Sequence, residues 1–152
     1  MASWEKPSAA SPGGRPLVPG GGEDSQHASG VVCLIAYLGL CAAYIQGGLD
    51  KLMDFHGAIG EMTYFGLSPA PLFAALVILL ELLGSAMVLT GFFRWLGALA
   101  LGAFTLMATF LALRFWELPL GQERFMAANS FFEHLGLVGG FLLVAWLDLR
   151  RK

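Results

Sequence analysis

The sequence predicts an all-α membrane protein, an integral membrane four-helix bundle that follows a disordered N-terminal tail. Of its 152 residues, 57% are hydrophobic and only 13% are charged, and the mean hydropathy is +0.68. Soluble domains are about half apolar and about a quarter charged, so this composition argues against a soluble globule. Four long apolar segments follow the tail, and they predict one transmembrane domain over residues 31–152, surrounded by a lipid bilayer.

The predicted tail, residues 1–30, is polar and holds four of the seven prolines and a run of three glycines. Such a segment buries too little apolar area to offset the entropy lost on ordering, so we expect it to be disordered. A secretory signal peptide would place a basic stretch directly before a short apolar core. A long, nearly neutral tail comes first here, and we expect the first apolar segment to be a retained span.

Several classes of protein are excluded by charge and by motif. A net charge of −2 and a pI near 5.8 argue against a nucleic-acid-binding protein with a basic surface. Cys33 and Cys41 are too few for a disulfide scaffold, and neither belongs to a metal-ligand spacing. Phosphate-binding loops, dinucleotide fingerprints, haem-attachment motifs and zinc-protease motifs are absent from the sequence. We therefore expect no metal and no intrinsic cofactor.

The four predicted spans are residues 31–48, 71–93, 95–113 and 129–147. The last apolar run alone would give a helix of about 20 Å, at about 1.5 Å per residue, which is too short for a hydrocarbon layer of about 30 Å. We therefore place its start near Asn129, which carries Glu133 and His134 below the membrane surface. The longer connections between the first and second spans and between the third and fourth are expected to include short interfacial helices.

The distribution of basic residues predicts the orientation in the membrane. Four spans place both termini and the turn between the second and third spans on one side. That side collects Lys6, Arg15, Arg94, Arg150, Arg151 and Lys152, whereas the other side has Lys51, Arg114 and Arg124. Because cytoplasmic segments of membrane proteins are enriched in lysine and arginine, we expect the termini to be cytoplasmic.

Small residues recur at four-residue spacing in three of the spans, a pattern typical of close helix packing in membranes. They are Gly39, Ala43 and Gly47 in the first span, Ala98 and Gly102 in the third, and Gly136 and Gly140 in the fourth. We interpret these residues as packing positions of the bundle. The alternative is chance, because the chain contains 20 glycines.

Glu81 is the most informative polar residue, because it lies near the middle of the second predicted span. A carboxylate at this depth costs several kcal/mol unless it faces the bundle and is protonated, hydrogen-bonded or paired. Polar side chains expected in the same half of the bundle are Gln46, Lys51, Arg114, Glu133 and His134. We predict Lys51 or His134 as its partner. Glu81 is then either a structural clamp or a group that binds a ligand or accepts a proton.

Several short motifs, taken in order, resemble the DoxX family of membrane proteins. They are GGLDKL at residues 47–52, LELLG at 80–84, LTGFFR at 89–94, FW at 115–116 and FEHLGLVGG at 132–140. The resemblance extends over residues 31–147 and leaves out the tail.

The resemblance implies a four-helix protein of the bacterial cytoplasmic membrane, with Lys51, Glu81 and Arg94 as its family-like polar residues. It also implies an accessory subunit of a quinone- or thiol-linked redox system, with other membrane or redox proteins as partners. A quinone site needs an apolar slot, a hydrogen-bond donor and a titrating group, and Lys51, Glu81 and His134 can provide the polar part. The alternative is a non-enzymatic assembly or stress-response protein that acts through helix–helix contacts.

Overall fold

The structure, a computed structural model, describes the backbone of residues 21–151 and the side chains of residues 28–151. Its helices are α1 (Gly21–Met53), α2 (Phe55–Tyr64), α3 (Ala70–Thr90), α4 (Arg94–Ala112) and α5 (Gln122–Leu149). This part of the chain contains no β-strand. Helices α1, α3, α4 and α5 are long and apolar enough to cross a membrane, which confirms the predicted all-α fold with four spans.

The N-terminal ends of α1 and α5 lie earlier in the sequence than the predicted starts of the first and fourth spans. Helix α1 begins at Gly21, ten residues before the predicted first span, while residues 1–20 of the predicted disordered tail lie outside the described residues. A helix nucleated by an apolar span extends at little cost per added residue. Helix α5 begins at Gln122 rather than near Asn129, directly after a segment with Pro119 and Gly121, whose residue types interrupt helices.

Helix α2 is the short helix expected in the first long connection. Its N-cap is Asp54, whose carboxylate accepts a hydrogen bond from the Gly57 N–H at 2.9 Å. A Cβ atom at Gly57 would collide with that carboxylate in its present position, so a larger residue there would require the Asp54 side chain to shift. The buried Ala58 and Met62 pack against Ala74 of α3, and this contact holds α2 across the end of the bundle. A 3₁₀ turn at Phe115–Glu117 lies in the second long connection.

Helices α3 and α4 approach each other closely next to the short turn that joins them. The turn relies on Gly91, which caps α3 in the left-handed conformation with φ of 84°. A Cβ atom added to Gly97 would lie 2.8 Å from the Gly84 carbonyl oxygen and 2.8 Å from the Cβ of Met87. Leu101 covers Gly84 from the α4 side. The two backbones can approach this closely because position 97 is glycine, and the side chain of Leu101 fits against position 84 because that residue has no Cβ.

The four long helices pack in the order α1, α3, α4 and α5, and α5 approaches α1 more loosely than the other neighbours approach each other. The rings of Tyr44 on α1 and Phe141 on α5 form an edge-to-face contact with centroids 5.3 Å apart. Phe141 is fully buried and rests against Gly102 of α4. Bulky side chains therefore fill the space where α1 and α5 stand further apart.

The predicted small-residue positions divide into two groups. Inside the bundle lie Gly47 beside the Glu81 carboxylate, the buried Ala98 and Gly102, and Gly140 beneath Leu40. Gly39, Ala43 and Gly136 are exposed; Ala43 lines a cavity of the bundle, whereas Gly39 and Gly136 have no neighbouring side chain within 4 Å. Gly39 and Gly136 therefore do not pack helices within one chain.

Candidate functional site

A cavity of about 540 Å³ lies where α3 and α4 separate, at the ends remote from their connecting turn. Its walls are mostly apolar, with Phe73, Leu76, Val77 and Leu80 from α3 and Phe104, Met107, Ala108 and Leu111 from α4. Leu76 and Met107 are 50% and 61% exposed and form its rim on the outer face of the bundle. Its volume and apolar lining are typical of sites that bind small organic ligands.

Glu81 and Lys51 form an ion pair in the wall of this cavity. Glu81 is only 5% exposed, and the Lys51 Nζ atom lies 3.4 Å from each of its carboxylate oxygens. Lys51 comes from the end of α1, and its ammonium group passes Gly47, where a Cβ would stand 3.4 Å from Nζ. The structure thus pairs Glu81 with Lys51 rather than with His134.

The contacts between Lys51 and Glu81 are longer than strong hydrogen bonds. Strong hydrogen bonds between an ammonium and a carboxylate measure about 2.7–2.9 Å, so at 3.4 Å to both oxygens the pair is attracted but loosely bonded. Lys51 has three N–H donors, and each carboxylate oxygen accepts more than one bond. Both groups therefore keep capacity for a third polar partner in the cavity.

Tyr44 and Thr105 provide a second polar feature of the cavity wall. The Thr105 hydroxyl donates its single proton to the Leu101 carbonyl at 2.7 Å, so the Tyr44 hydroxyl must donate in the Tyr44–Thr105 hydrogen bond. The Tyr44 oxygen is then left as an acceptor. This bond joins α1 to α4 across the bundle interior.

His134 lines the cavity from α5 and is oriented by Thr109. The Thr109 hydroxyl donates to the Thr105 carbonyl at 2.6 Å, so the His134 Nδ1 atom, 2.9 Å from that hydroxyl, acts as the donor. The Nδ1 atom of His134 therefore carries a proton in this arrangement, and this bond fixes the orientation of the ring. Thr105 and Thr109 thus link α4 to α1 and to α5.

The other three predicted residues lie apart from this cluster. Gln46 is exposed and donates to Asp50 of its own helix at 3.0 Å. Arg114 forms an exposed salt bridge with Glu117 at 3.4 Å, and Glu133 is exposed on α5. Interface side chains of this kind are satisfied by local partners and solvent, which the sequence does not reveal.

The sequence analysis missed three polar residues of the cavity wall, Tyr44, Glu61 and Thr105. Tyr44 precedes Gly47 by three residues and Lys51 by seven, so the three share one face of α1, and helical spacing could have identified it. Glu61 arrives from α2, whose position over the cavity depends on packing against α3. Nothing in the local sequence around Glu61 indicates that arrangement.

The two cysteines lie outside the cavity wall, and the described residues offer no set of metal ligands. Cys33 and Cys41 are free thiols in one continuous helix, and neither lines the cavity. Within residues 28–151, no group of three or more histidine, cysteine, aspartate or glutamate side chains is arranged to hold a metal ion.

The amino-acid sequence matches one family model and is similar to a known membrane protein. The family model described as DoxX matches residues 32–114, which include Tyr44, Lys51, Glu81 and Thr105 but not α5. The chain is also similar to inner membrane protein YphA of Escherichia coli (strain K12), with 27% identity over 116 residues that cover 76% of this chain and 81% of that protein. No solved structure matches the chain significantly.

Proposed function

We propose, from the premise that this chain belongs to the DoxX family and is a multi-pass inner-membrane protein, that it binds a quinone as an accessory subunit of a membrane redox system. The observation that carries this proposal is the apolar cavity of about 540 Å³ with the Lys51–Glu81 pair in its wall. A lipid-soluble ligand with polar atoms at one end matches both features.

The apolar residues present fit a quinone in two respects. Phe73, Leu80 and Phe104 offer apolar and aromatic surface for a flat ring. The gap between α3 and α4, bordered by the exposed Leu76 and Met107, gives an isoprenoid tail a route to the lipid. A mobile hydrophobic electron carrier needs such an opening, because it enters from the bilayer rather than from water.

The polar residues have separate roles in this proposal. Lys51 Nζ donates a hydrogen bond to a carbonyl oxygen of the ligand, and Glu81 holds or releases a proton beside it. Glu61, exposed at the mouth of the cavity, provides a second carboxylate through which a proton can reach water. A bound quinone supplies the electron-accepting group, and a partner redox protein supplies the electrons. The absence of both cysteines from the cavity wall favours this version over a thiol-linked one.

Filling the cavity should weaken quinone binding without unfolding the bundle. In Ala108→Phe a phenyl ring occupies the space between α3 and α4, and we expect the affinity for a short-tailed quinone to fall at least about tenfold, or about 1.4 kcal/mol. The matched control is Ala103→Phe, which adds the same ring to an exposed face of the same helix. Binding is measured by titration of purified protein in lipid nanodiscs.

The quinone proposal also requires a spectroscopic response from the wild-type protein. Quinone addition should perturb the infrared band of the Glu81 carboxyl group, and Glu81→Gln should remove that band. The proposal fails if wild-type protein shows no quinone-dependent change, or if both phenylalanine variants bind quinone equally well.

A second candidate function, as a non-enzymatic assembly or stress-response protein, is favoured by the exposed small residues of α1 and α5. Gly39 and Gly136 face outward, where they allow a partner helix to approach closely. On this hypothesis Gly39→Leu or Gly136→Leu should abolish copurification of partner proteins from native membranes in mild detergent, while Glu81→Gln preserves it. The opposite pattern would favour chemistry at Glu81.

We further propose that both termini face the cytoplasm. Arg94, Arg150 and Arg151 lie at the end of the bundle that carries the α3–α4 turn and the end of α5. At the opposite end, Lys51 is paired with Glu81 and Arg114 with Glu117, so that Arg124 is the one basic residue there outside the salt bridges of the described residues. The unpaired positive charge therefore favours retention of the first end on the cytoplasmic side.

A further inference from the structure

A second cleft, of about 310 Å³, lies at the end of the bundle that carries the α3–α4 turn, remote from the quinone cavity. We call it the basic cleft, because two arginines reach it from different parts of the chain. Its lining includes Ser29, Cys33 and Tyr37 from α1, Leu89 from α3, and Arg94 and Arg151. The function proposed above makes no use of it.

Arg94 is held in a fixed position in the basic cleft. Its Nε atom donates to the Val88 carbonyl oxygen at 2.7 Å, and its guanidinium group stacks over the Tyr37 ring at 4.6 Å. These contacts restrain the side chain while the terminal nitrogens retain their N–H donors. A planar guanidinium held in this way is suited to bind a phosphate or carboxylate group through two parallel bonds.

The positive charge of the basic cleft is not neutralised by carboxylates of the described residues. The two salt bridges within residues 28–151 are Lys51–Glu81 and Arg114–Glu117, and neither involves Arg94 or Arg151. Asp148, the acidic residue at this end of α5, has its carboxylate turned to the Trp95 backbone N–H, with an oxygen 3.3 Å away. Two guanidinium groups therefore share a concave site and attract an anion.

We propose that the basic cleft binds the phosphate group of an anionic membrane lipid. It lies where α3 ends and α4 begins, so it is placed at the boundary between hydrocarbon and water. Leu34 and Leu89 continue its lining with apolar surface, on which an acyl chain can rest below the phosphate. Basic pockets between transmembrane helices bind lipid head groups in this way.

The test compares lipids retained by the full-length protein. Wild-type protein and variants are reconstituted with equal amounts of phosphatidylglycerol and phosphatidylcholine, extracted in mild detergent, and analysed by native mass spectrometry. We expect wild type to retain phosphatidylglycerol preferentially. Arg94→Gln and Arg151→Gln should each lower its retention about tenfold, because each removes a charge-assisted contact to phosphate.

Arg150→Gln is the matched control, since it removes an equal charge from the neighbouring position. The Arg150 guanidinium lies over the Trp146 ring at 4.5 Å and is not part of the basic cleft, so lipid retention should not change. Arg151→Gln removes a charge of the cleft without disturbing the fold, because Arg151 is exposed and does not make the Nε–carbonyl bond that restrains Arg94.

Three results would overturn the lipid proposal. Equal losses in all three variants would show a diffuse effect of net charge rather than a site. Equal retention of both lipids by wild type would show no preference for an anionic head group. If inorganic phosphate bound the detergent-solubilised protein as tightly as phosphatidylglycerol and displaced it, the ligand would be a free anion rather than a lipid.

Discussion

Lys51→Met should destabilise the folded protein by about 3–5 kcal/mol, because it leaves a carboxylate buried without its counter-charge. Glu81 is 5% exposed, and Lys51 is its sole ion-pair partner among residues 28–151. Methionine keeps most of the length of the lysine side chain, so lost packing contributes little. The free energy of unfolding is measured by SDS titration of the protein in bicelles.

The double variant Lys51→Met/Glu81→Met separates the cost of an unpaired charge from the value of the pair. Buried ion pairs are often replaced by hydrophobic residues with little loss of stability, because neither charge then has to be desolvated. We expect the double variant to recover to within about 1 kcal/mol of wild type. Arg114→Met is the control, since its salt bridge with Glu117 is exposed and should contribute about 0–1 kcal/mol.

This comparison also shows why the ion pair is present. If the double variant is stable but does not bind quinone, the pair is maintained for the ligand rather than for folding. If Lys51→Met costs no more than Arg114→Met, Glu81 is protonated or finds another partner in the cavity. If the double variant stays unstable, the pair is a structural clamp that fixes the position of α1 against α3.

The four spans and the importance of Glu81 could be predicted from the sequence, because both are determined by the hydrocarbon that surrounds the helices. Hydrocarbon selects long apolar helices, and it requires that a carboxylate at mid-span face other helices. The sequence could also place Lys51 on the same side of the bundle as Glu81. These inferences use position along the chain and the energy of burial, which are local properties.

The choice between Lys51 and His134 could not be made from sequence. It depends on how each helix is rotated about its axis, and this rotation is set by contacts between distant residues. His134 is hydrogen-bonded to Thr109 of α4. Gly47 has no side chain to obstruct the contact between Lys51 and Glu81. The same reason explains why Gly39 and Gly136 fit the pattern of packing residues yet lie on the outer face.

The cavity itself was not predictable, because it arises from the contrast between two ends of the same helix pair. Gly84 and Gly97 bring α3 and α4 together beside the turn, and larger residues such as Phe73 and Phe104 line the cavity at the other end. A helix pair that touches closely at one end and separates at the other encloses a wedge-shaped space. The two glycines are therefore as important for the site as the residues that line it.

Gly97→Ala should destabilise the protein by about 1–3 kcal/mol, the usual cost of overpacking. The added methyl group would lie 2.8 Å from the Gly84 carbonyl oxygen, a backbone atom that cannot rotate away. The helices must separate to relieve this contact. Gly84→Ala should cost less, because its methyl group would meet a side chain, that of Leu101, rather than a backbone atom.

Gly39→Ala and Gly136→Ala are the controls, since neither position has a neighbouring side chain within 4 Å. Alanine favours helix over glycine by about 0.5–1 kcal/mol, so these variants should be as stable as wild type or more stable. Unfolding by SDS in bicelles gives the order. Equal effects at Gly97 and Gly136 would show that the α3–α4 contact is not close. If the contact does shape the cavity, Gly97→Ala should also weaken quinone binding, although Gly97 does not line the site.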